Sequence, residues 1–263
     1  MRHALFFDAH IGAEGWETWY PLLREAVERE RALGSRIVWA GDTLDFVEDS
    51  HVRPPEGLIR PEDLWIPGNH DPVIYPGLEA RLTLSLDGVF VAHGDQVDLQ
   101  YALALLESRG LRWAHRARAY ALYRGLIGAP DWAARLARGW FYSVLHGRKA
   151  PVPWRVLLAL APSLLLSLFQ DEARLYPPTQ GLPAQPVYTE EPGAILEKLL
   201  ALEPKAKGAH TVVIGHLHPV PHVDAQVGGR RLIVAPAWPP YPYARRAGYV
   251  VVEGGQAEVV VCA

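Results

Sequence analysis

Five short apolar runs, each ending in a cluster of Asp, Asn, His or Gly residues, constrain this chain more than any other feature of its sequence. The runs occupy residues 4–7, 37–40, 64–67, 89–92 and 211–214. Runs of this length bounded by turn residues are typical of buried β-strands. Strands that alternate with helical segments indicate an α/β sheet, in which functional side chains gather beyond the carboxyl ends of the strands.

Two segments have the pattern of helices. Apolar residues recur at helical spacing from Trp16 to Leu33, and Gly34 follows as a stop signal. A second helix is predicted over Pro192 to Leu202, with Thr189 as a candidate cap and Pro204 beyond its end.

The C-terminal part has the pattern of further strands. Arg231 to Val234 is predicted to form one strand, and Tyr249 to Val261 a hairpin that turns at Gly254-Gly255. These strands would extend the second half of a mixed sheet.

Residues 97–187 differ from the rest of the chain. Leu, Ala, Arg and Trp dominate there and the strand pattern disappears, which predicts an inserted bundle of short helices. Residues 97–175 hold 11 basic against 5 acidic side chains, whereas the remainder holds 15 against 24. We therefore predict a core formed by residues 1–96 and 188–263, and a basic helical insertion, or lid, over 97–187.

The sequence predicts an intracellular protein. Its one cysteine, Cys262, excludes an intramolecular disulfide and any zinc site built on cysteines. The apolar run at residues 4–7 is too short for the core of a signal peptide. The longest apolar stretch, Val156 to Phe169, is interrupted by Pro162 and falls short of the ~20 residues that span a bilayer. We expect a cytoplasmic protein, with peripheral contact at the inner face of the membrane as an open alternative.

Side chains that commonly bind metals follow every one of the five apolar runs. A site for two divalent ions needs hard oxygen and imidazole ligands, a bridging carboxylate and a rigid frame that holds the ions about 3.5–4 Å apart. Any one of these residues alone is more often a turn or surface residue, but their joint placement beyond the strands predicts a metal site. The candidate ligands are Asp8, His10, Asp42, Asn69, His93, His216 and His218.

In order and content these clusters resemble the five sequence blocks of the calcineurin-like metallophosphoesterases, and they cover residues 1–95 and 208–262. The resemblance implies a four-layered α/β/β/α sandwich, to which this chain would add the helical lid. The blocks are Asp8-Ala9-His10, Gly41-Asp42-Thr43-Leu44-Asp45, Gly68-Asn69-His70-Asp71, His93-Gly94-Asp95 and Gly215-His216-Leu217-His218.

The resemblance also implies roles for the candidate ligands. Asp8, His10, Asp42 and His218 would hold one ion. Asp42, Asn69, His93 and His216 would hold the other, so that Asp42 is the bridge. Mixed oxygen and nitrogen ligands suit Mn²⁺, Fe or Zn²⁺, and the family often works with Mn²⁺.

A mechanism follows from the charge of two such ions. A water shared by them is acidified to a bridging hydroxide that attacks phosphorus in line, while the ions neutralise charge on the phosphoryl oxygens. By the resemblance His70 is the electrophile or general acid at the leaving group, and Asp45 orients it. The alternative is that His70 only caps its loop. Asp71 and Asp95 are expected to accept hydrogen bonds in the loops or to support the ligands.

Within that family the layout is most similar to the UDP-2,3-diacylglucosamine diphosphatases, which insert a helical lid after the His-Gly-Asp block. The shared features are the insertion after Asp95, its opening segment Asp98-Leu99-Gln100-Tyr101, the helix before Gly215, and residues 232–238. Those diphosphatases usually carry Arg where this chain has His70, which matches the broader family instead.

The lid residues suggest how a substrate is bound. Arginines interleaved with aromatic residues would attract a phosphorylated substrate and cover its apolar part; the alternative is a solvated helix face over an aromatic core. The candidate substrate contacts are Arg109, Arg116, Tyr120, Tyr123 and Arg124.

We predict hydrolysis of a phosphodiester or pyrophosphate bond in a small or lipid-linked substrate such as UDP-2,3-diacylglucosamine. One alternative is a phosphodiesterase or phosphatase of soluble nucleotides or nucleic acid, although the acidic remainder of the chain argues against a nucleic-acid partner. Another is a scaffold that binds phosphate ligands without catalysis. The sequence does not decide the oligomeric state.

Overall fold

The computed structural model describes residues 1–45, 52–68, 70–71, 77–95, 97, 191–219, 222–238 and 247–262. Met1–Gln100 and Val187–Ala263 form one compact unit, and all described residues belong to it. The predicted helical insertion over 97–187 lies outside the described residues, apart from Val97. The boundaries of the insertion stay a prediction.

The described residues form eleven strands in two sheets. Their bounds are β1 His3–Phe6, β2 Arg36–Trp39, β3 Leu64–Trp65, β4 Glu79–Ala80, β5 Thr83–Leu86, β6 Val89–Ala92, β7 Thr211–Ile214, β8 Val223–Val227, β9 Arg230–Val234, β10 Gly248–Glu253 and β11 Gln256–Val261. Sheet 1 has the order β11-β10-β1-β2-β3-β4, and sheet 2 the order β5-β6-β7-β9-β8.

Each sheet combines a group of parallel strands with strands that pair antiparallel. In sheet 1, β1 to β4 run parallel, with Leu5 opposite Val38, while β10 pairs antiparallel with β1 and β11 pairs antiparallel with β10. In sheet 2, β6, β7 and β9 run parallel, with Phe90 opposite Val212, and β5 and β8 run antiparallel. Strands β1, β2, β3, β6 and β7 correspond to the five apolar runs, so the loops after them all leave from carboxyl ends of parallel strands.

Two α-helices in the described part of the chain flank the sheets. Helix α1 spans Tyr20–Ala32, and Gly34 beyond it adopts a left-handed φ of 79°. The predicted helix from Trp16 includes a separate 3₁₀ turn, Trp16–Thr18, before α1. Helix α2 spans Pro192–Leu202, as predicted.

Three apolar layers hold these elements together. The first packs α1, through residues such as Leu23 and Val27, on Phe6 and Trp39 of sheet 1. The second lies between the sheets and joins Leu5 with Val91. The third packs α2 on the outer face of sheet 2. Because successive side chains of a strand point to opposite faces, each sheet is buried on both sides, and the predicted four-layered α/β/β/α sandwich is confirmed.

Three strands were not predicted, namely β4, β5 and β8. β5 joins β6 through Asp87-Gly88, and β8 joins β9 through Gly228-Gly229. Asp-Gly and Gly-Gly are typical of two-residue hairpin turns, so a signal for both hairpins is present in the sequence. β4 has only two residues, which is too short to show a period.

Beyond the amino-terminal ends of β1 and β2 lies a cluster of polar side chains, the Glu30 network, formed by the half-buried Arg2 and the buried Glu30, Ser35 and Tyr249. The Glu30 carboxylate accepts hydrogen bonds from Arg2 Nε at 3.0 Å, Ser35 Oγ at 2.6 Å and the Tyr249 hydroxyl at 2.9 Å. Burial favours the neutral acid, but the bonds from Arg2 and Ser35 outweigh it, and the pKa of Glu30 is lowered. Burial raises the pKa of Tyr249 to about 12.

A second buried carboxylate lies just before β3. Asp63 accepts hydrogen bonds from Arg31 at 2.6 Å and from Trp39 Nε1 at 3.0 Å. Both of these buried carboxylates, Glu30 and Asp63, are therefore bonded to an arginine. Among the described residues, neither helix has the length and apolar character needed to cross a bilayer.

Candidate metal centre

The candidate residues meet where the loops after β1, β2, β3, β6 and β7 converge. Backbone hydrogen bonds tie the loops together: the Asp8 N–H donates to the Gly41 carbonyl at 2.9 Å, and the His10 N–H donates to the Asp42 carbonyl at 2.8 Å. The Gly215 N–H donates to the His93 carbonyl at 2.7 Å in the same way. The parallel strands thus place their loops side by side before any side chain is considered.

Five of the candidate residues have left-handed backbone conformations. These are Asp8, His10, Asp42, His216 and His218, with φ between 43° and 66°. Among the described non-glycine residues only Asp87, in a hairpin turn, shares this property. The left-handed region costs an L-residue roughly 1–2 kcal/mol. Such strain concentrates at functional sites, where the surrounding structure holds it in place.

Three glycines make room for the candidate side chains. A Cβ atom on Gly41 would collide with the His93 ring, one on Gly68 with Asp42, and one on Gly215 with the Asp8 carboxylate. Each glycine immediately precedes a candidate residue in the sequence. The close approach of backbone to these side chains explains why glycine stands there.

The first cluster consists of Asp8, His10 and His218. Asp8 Oδ1 lies 3.3 Å from His218 Nε2, and the Nε2 atoms of His10 and His218 lie 3.4 Å apart. The carboxylate of Asp8 also accepts a hydrogen bond from the His216 N–H at 2.9 Å. A carboxylate oxygen and two ring nitrogens thus converge in a buried space with the donor atoms that a transition-metal ion uses.

The second cluster consists of Asp42, His93 and His216. Asp42 Oδ2 lies 3.3 Å from His93 Nε2, and the rings of His93 and His216 have centroids 5.0 Å apart. One potential ligand atom from each residue lies within 4.8 Å of the other two.

Asp42 lies between the two clusters. The same oxygen, Oδ2, that faces His93 lies 4.0 Å from His10 Nε2 in the first cluster. Its other oxygen, Oδ1, accepts a hydrogen bond from the His70 N–H at 2.8 Å. One carboxylate oxygen of Asp42 therefore lies near both clusters, as is required of a bridging ligand.

Asp45 contacts two imidazoles. Its Oδ1 lies 3.0 Å from His70 Nδ1 and its Oδ2 lies 3.0 Å from His10 Nδ1. All three side chains are buried. Burial favours the neutral acid, but the hydrogen bonds with His10 and His70 prevail and hold the pKa of Asp45 well below its usual range. An ionised carboxylate only accepts, so both Nδ1 atoms carry the proton.

Asp71 joins the loop after β3 to the loop after β2. Its Oδ1 accepts a hydrogen bond from the Leu44 N–H at 2.8 Å, and its Oδ2 accepts one from the Gly68 N–H at 2.9 Å. Burial, and then the nearby charge of Asp42, raise the pKa of Asp71 to about 7. Asp71 thus accepts hydrogen bonds within the loops, as we expected from the sequence.

The charges within the clusters act on one another. Burial opposes ionisation of Asp42, but the imidazoles of His93 and His70 lower its pKa well below the usual value. Burial likewise opposes ionisation of Asp8, and His218 outweighs it to lower the pKa of Asp8. Burial lowers the pKa of His218, which favours the neutral imidazole, the form that binds metals.

The donor set fits divalent metal ions. Buried carboxylate oxygens and imidazole nitrogens suit Mn²⁺, Fe or Zn²⁺, and a carboxylate bonded to His10 Nδ1 leaves Nε2 as the nitrogen that would bind a metal. Hydrogen bonds of this kind orient imidazole ligands in metal sites. The residues of both clusters could therefore hold metal ions. The types of donor atom do not determine which metal binds.

Several predicted residues lie outside the described part of the chain. They are Asn69, the remaining predicted ligand, and the substrate contacts Arg109, Arg116, Tyr120, Tyr123 and Arg124. The described loops reveal one contact that the sequence did not suggest, the bond between Asp45 and His10, because nothing local marks two residues 35 positions apart as partners.

Similar solved structures extend over almost the whole chain. One is a conserved uncharacterized protein from Streptococcus pneumoniae described as a predicted phosphoesterase, with 13% identity, a TM-score of 0.39, and coverage of 99% of this chain and 97% of that one. Another is a single-residue variant of Vps29 from Entamoeba histolytica, with 10% identity, a TM-score of 0.37, and coverage of 99% of both chains. No protein-family model and no curated protein sequence matches the chain.

Proposed function

We propose that this protein is a two-metal phosphoesterase that hydrolyses a phosphodiester or pyrophosphate bond. The observation that carries the proposal is the position of Asp42 Oδ2, 3.3 Å from His93 Nε2 and 4.0 Å from His10 Nε2. A shared carboxylate between two buried clusters is the arrangement that keeps two cations within reach of one phosphoryl group.

The first ion would be held by Asp8, His10, Asp42 and His218. The second would be held by Asp42, Asn69, His93 and His216. When bound, two such ions supply Lewis-acid charge at the phosphoryl oxygens and lower the pKa of water. We propose Mn²⁺ as the native metal, with Fe and Zn²⁺ as alternatives that the same ligands accept.

His70 is proposed as the general acid. Its Nδ1–H is held by the Asp45 carboxylate at 3.0 Å, so Nε2 is the ring nitrogen that would deliver a proton to the leaving oxygen. The negative charge of Asp45 stabilises the imidazolium before transfer and fixes the ring orientation during it. The His70 N–H bond to Asp42 Oδ1 keeps this loop beside the clusters.

The proposed substrate is a nucleotide diphosphate linked to a lipid, such as UDP-2,3-diacylglucosamine. The support is the resemblance in layout and the basic and aromatic residues of the segment 97–187, which suit a phosphorylated substrate with an apolar part. Such a substrate would bring the enzyme to the cytoplasmic face of a membrane.

The test compares Mn²⁺-dependent hydrolysis of a nucleotide-diphosphate lipid, an aryl phosphodiester and an aryl phosphomonoester. Asp42→Asn serves as the blank, and Asp63→Asn controls for the loss of any buried carboxylate. Preference for the lipid substrate supports the full proposal. Cleavage of the aryl esters alone supports the phosphoesterase and rejects the lipid, and the next substrates are then soluble nucleotides. No Mn²⁺-dependent hydrolysis above the Asp42→Asn blank rejects the function.

A further inference from the structure

We infer that Asp45 is a shared positioning residue that holds a metal-binding imidazole, His10, and the acid, His70, with one carboxylate. The inference rests on the proposed function for the roles of the two histidines, and on the geometry for the link between them. One oxygen of Asp45 faces each Nδ1 atom at 3.0 Å. The rings of His10 and His70 are edge to face, with centroids 4.9 Å apart.

The distances identify this trio as hydrogen-bonded. His10, Asp45 and His70 also have the residue types of a metal site. Their N···O separations of 3.0 Å are nevertheless the usual length of an N–H···O bond. Placing a metal among these atoms would take the lone pairs of both Nδ1 atoms. Neutral His10 would then carry its proton on Nε2 and would present no lone pair beside His218. The carboxylate therefore serves as a double acceptor.

The two bonds fix two functions at once. With Nδ1–H donated to Asp45, neutral His10 presents the lone pair of Nε2, and this atom lies 3.4 Å from His218 Nε2 in the first cluster. With Nδ1–H donated to the other oxygen, Nε2 is the nitrogen of His70 that would transfer the proton. A carboxylate is suited to this because its two oxygens accept two N–H donors in different directions.

An amide cannot replace the carboxylate at this position. In Asp45→Asn the carbonyl oxygen still accepts one Nδ1–H, but the NH₂ group donates and faces the other ring. That ring must then present an Nδ1 lone pair and carry its proton on Nε2. We expect one of the two imidazoles to change tautomer in Asp45→Asn, and both to lose the Nδ1–H bond in Asp45→Ala.

The experiment combines two readouts that need no substrate. The first is the tautomer of each histidine in metal-free protein, from long-range ¹H–¹⁵N spectra assigned with His10→Ala and His70→Ala. The second is Mn²⁺ titration of the wild type, Asp45→Asn and Asp45→Ala, with His218→Ala and His216→Ala marking the first and second sites. Asp63→Asn is the matched control, because it changes another buried carboxylate at the opposite ends of the strands.

The expected result is a change at both His10 and His70 in Asp45→Ala, with Mn²⁺ affinity at the first site weakened by about 10- to 100-fold, as for lost partners of metal ligands. The second site and the Asp63→Asn control should match the wild type. A change at His70 alone, with wild-type Mn²⁺ binding, would overturn the inference while leaving the phosphoesterase intact. Wild-type protein that hydrolyses no ester but shows the expected spectra and titrations would reject the proposed function and retain the shared carboxylate.

Discussion

The buried carboxylates at the two ends of sheet 1 have different neighbours. Beyond the amino-terminal ends of the strands, Glu30 is bonded to Arg2, and Asp63 to Arg31. Beyond the carboxyl-terminal ends, Asp8, Asp42 and Asp71 lie in one buried region. Burial and then the charge of Asp42 raise the pKa of Asp71, whereas His218 outweighs burial at Asp8 and lowers the pKa of Asp8. The first end pairs each of its buried carboxylates with an arginine, whereas the second gathers several carboxylates among imidazoles.

This contrast indicates that the buried carboxylates at the first end stabilise the fold, whereas those at the second end suit the proposed function. An arginine offsets part of the cost of burying a carboxylate: it helps to lower the pKa of Glu30, whereas burial outweighs it at Asp63 and raises the pKa of Asp63. Several carboxylates together also repel one another, and added positive charge relieves this repulsion. The left-handed residues lie at the second end as well, apart from Asp87 among the described residues. Natural chains depart from local rules mainly where function requires it, so the left-handed residues support the proposed site at the carboxyl-terminal end.

Asp42→Asn should produce the largest effect. Loss of the bridging charge should abolish binding of both ions and lower kcat/KM for an aryl phosphodiester by roughly 10³-fold or more, because metal chemistry supplies several kcal/mol of transition-state stabilisation. The amide oxygen can still accept the bond from the His70 N–H, so the loop should stay folded. Metal analysis and steady-state kinetics measure both effects, and wild-type Mn²⁺ stoichiometry in the variant would contradict the bridge.

His70→Ala should slow turnover by roughly 10² or more and leave Mn²⁺ binding intact, since a general acid contributes to chemistry without holding the metal. The control is His210→Ala, an exposed histidine whose Nδ1 lies 3.0 Å from Thr211 Oγ1, for which wild-type kinetics are expected. Equal losses of metal and activity in His70→Ala would show that this residue is a ligand.

Asp71→Ala should lower the free energy of unfolding by about 2 kcal/mol, because it leaves the buried N–H groups of Leu44 and Gly68 without their acceptor. Asp71→Asn keeps one oxygen and should lose less. Urea unfolding of metal-free protein measures the difference. A variant as stable as the wild type would show that the two loops do not need this clamp.

Glu30→Gln should lower the free energy of unfolding by about 1 kcal/mol at neutral pH and leave turnover unchanged. Because the pKa of Glu30 is below its ordinary value of 4.5 in the folded protein, its ionised form stabilises the fold above that pH. This contribution is lost as the pH falls through the lower, folded-state value. The difference between the unfolding curves of the two proteins at neutral pH should therefore disappear well below pH 4.5, and a difference that is the same at both pH values would contradict the sign.

Much of the architecture was predictable because the central strands are buried on both faces and read as continuous apolar runs. Residues 89–92 and 211–214 form strands with the predicted bounds, while β1 and β2 begin and end one residue earlier than predicted. The short β4 pairs with β3 only in the folded sheet, so no local pattern could indicate it.

The sequence predicts which residues lie at the candidate site, but it does not predict the contacts between their side chains. Parallel strands bring their carboxyl ends to one edge, so the position of Asp8, Asp42 and His93 follows from the strand pattern. Which oxygen of Asp45 meets which ring depends on rotamers and on the left-handed backbone at His10, and these are decided by packing. The roles of the assembled residues stay predictions until metal binding and turnover are measured.

The residues of the first cluster are synthesised at very different times. Asp8 and His10 lie in the loop after β1, and His218, which completes the cluster, lies 208 positions after His10. During synthesis Asp8 and His10 emerge from the ribosome long before β7 exists to pair with β6. The three side chains can therefore meet only after residue 218 has been synthesised, so a translation product that stops before β7 would lack one member of the cluster.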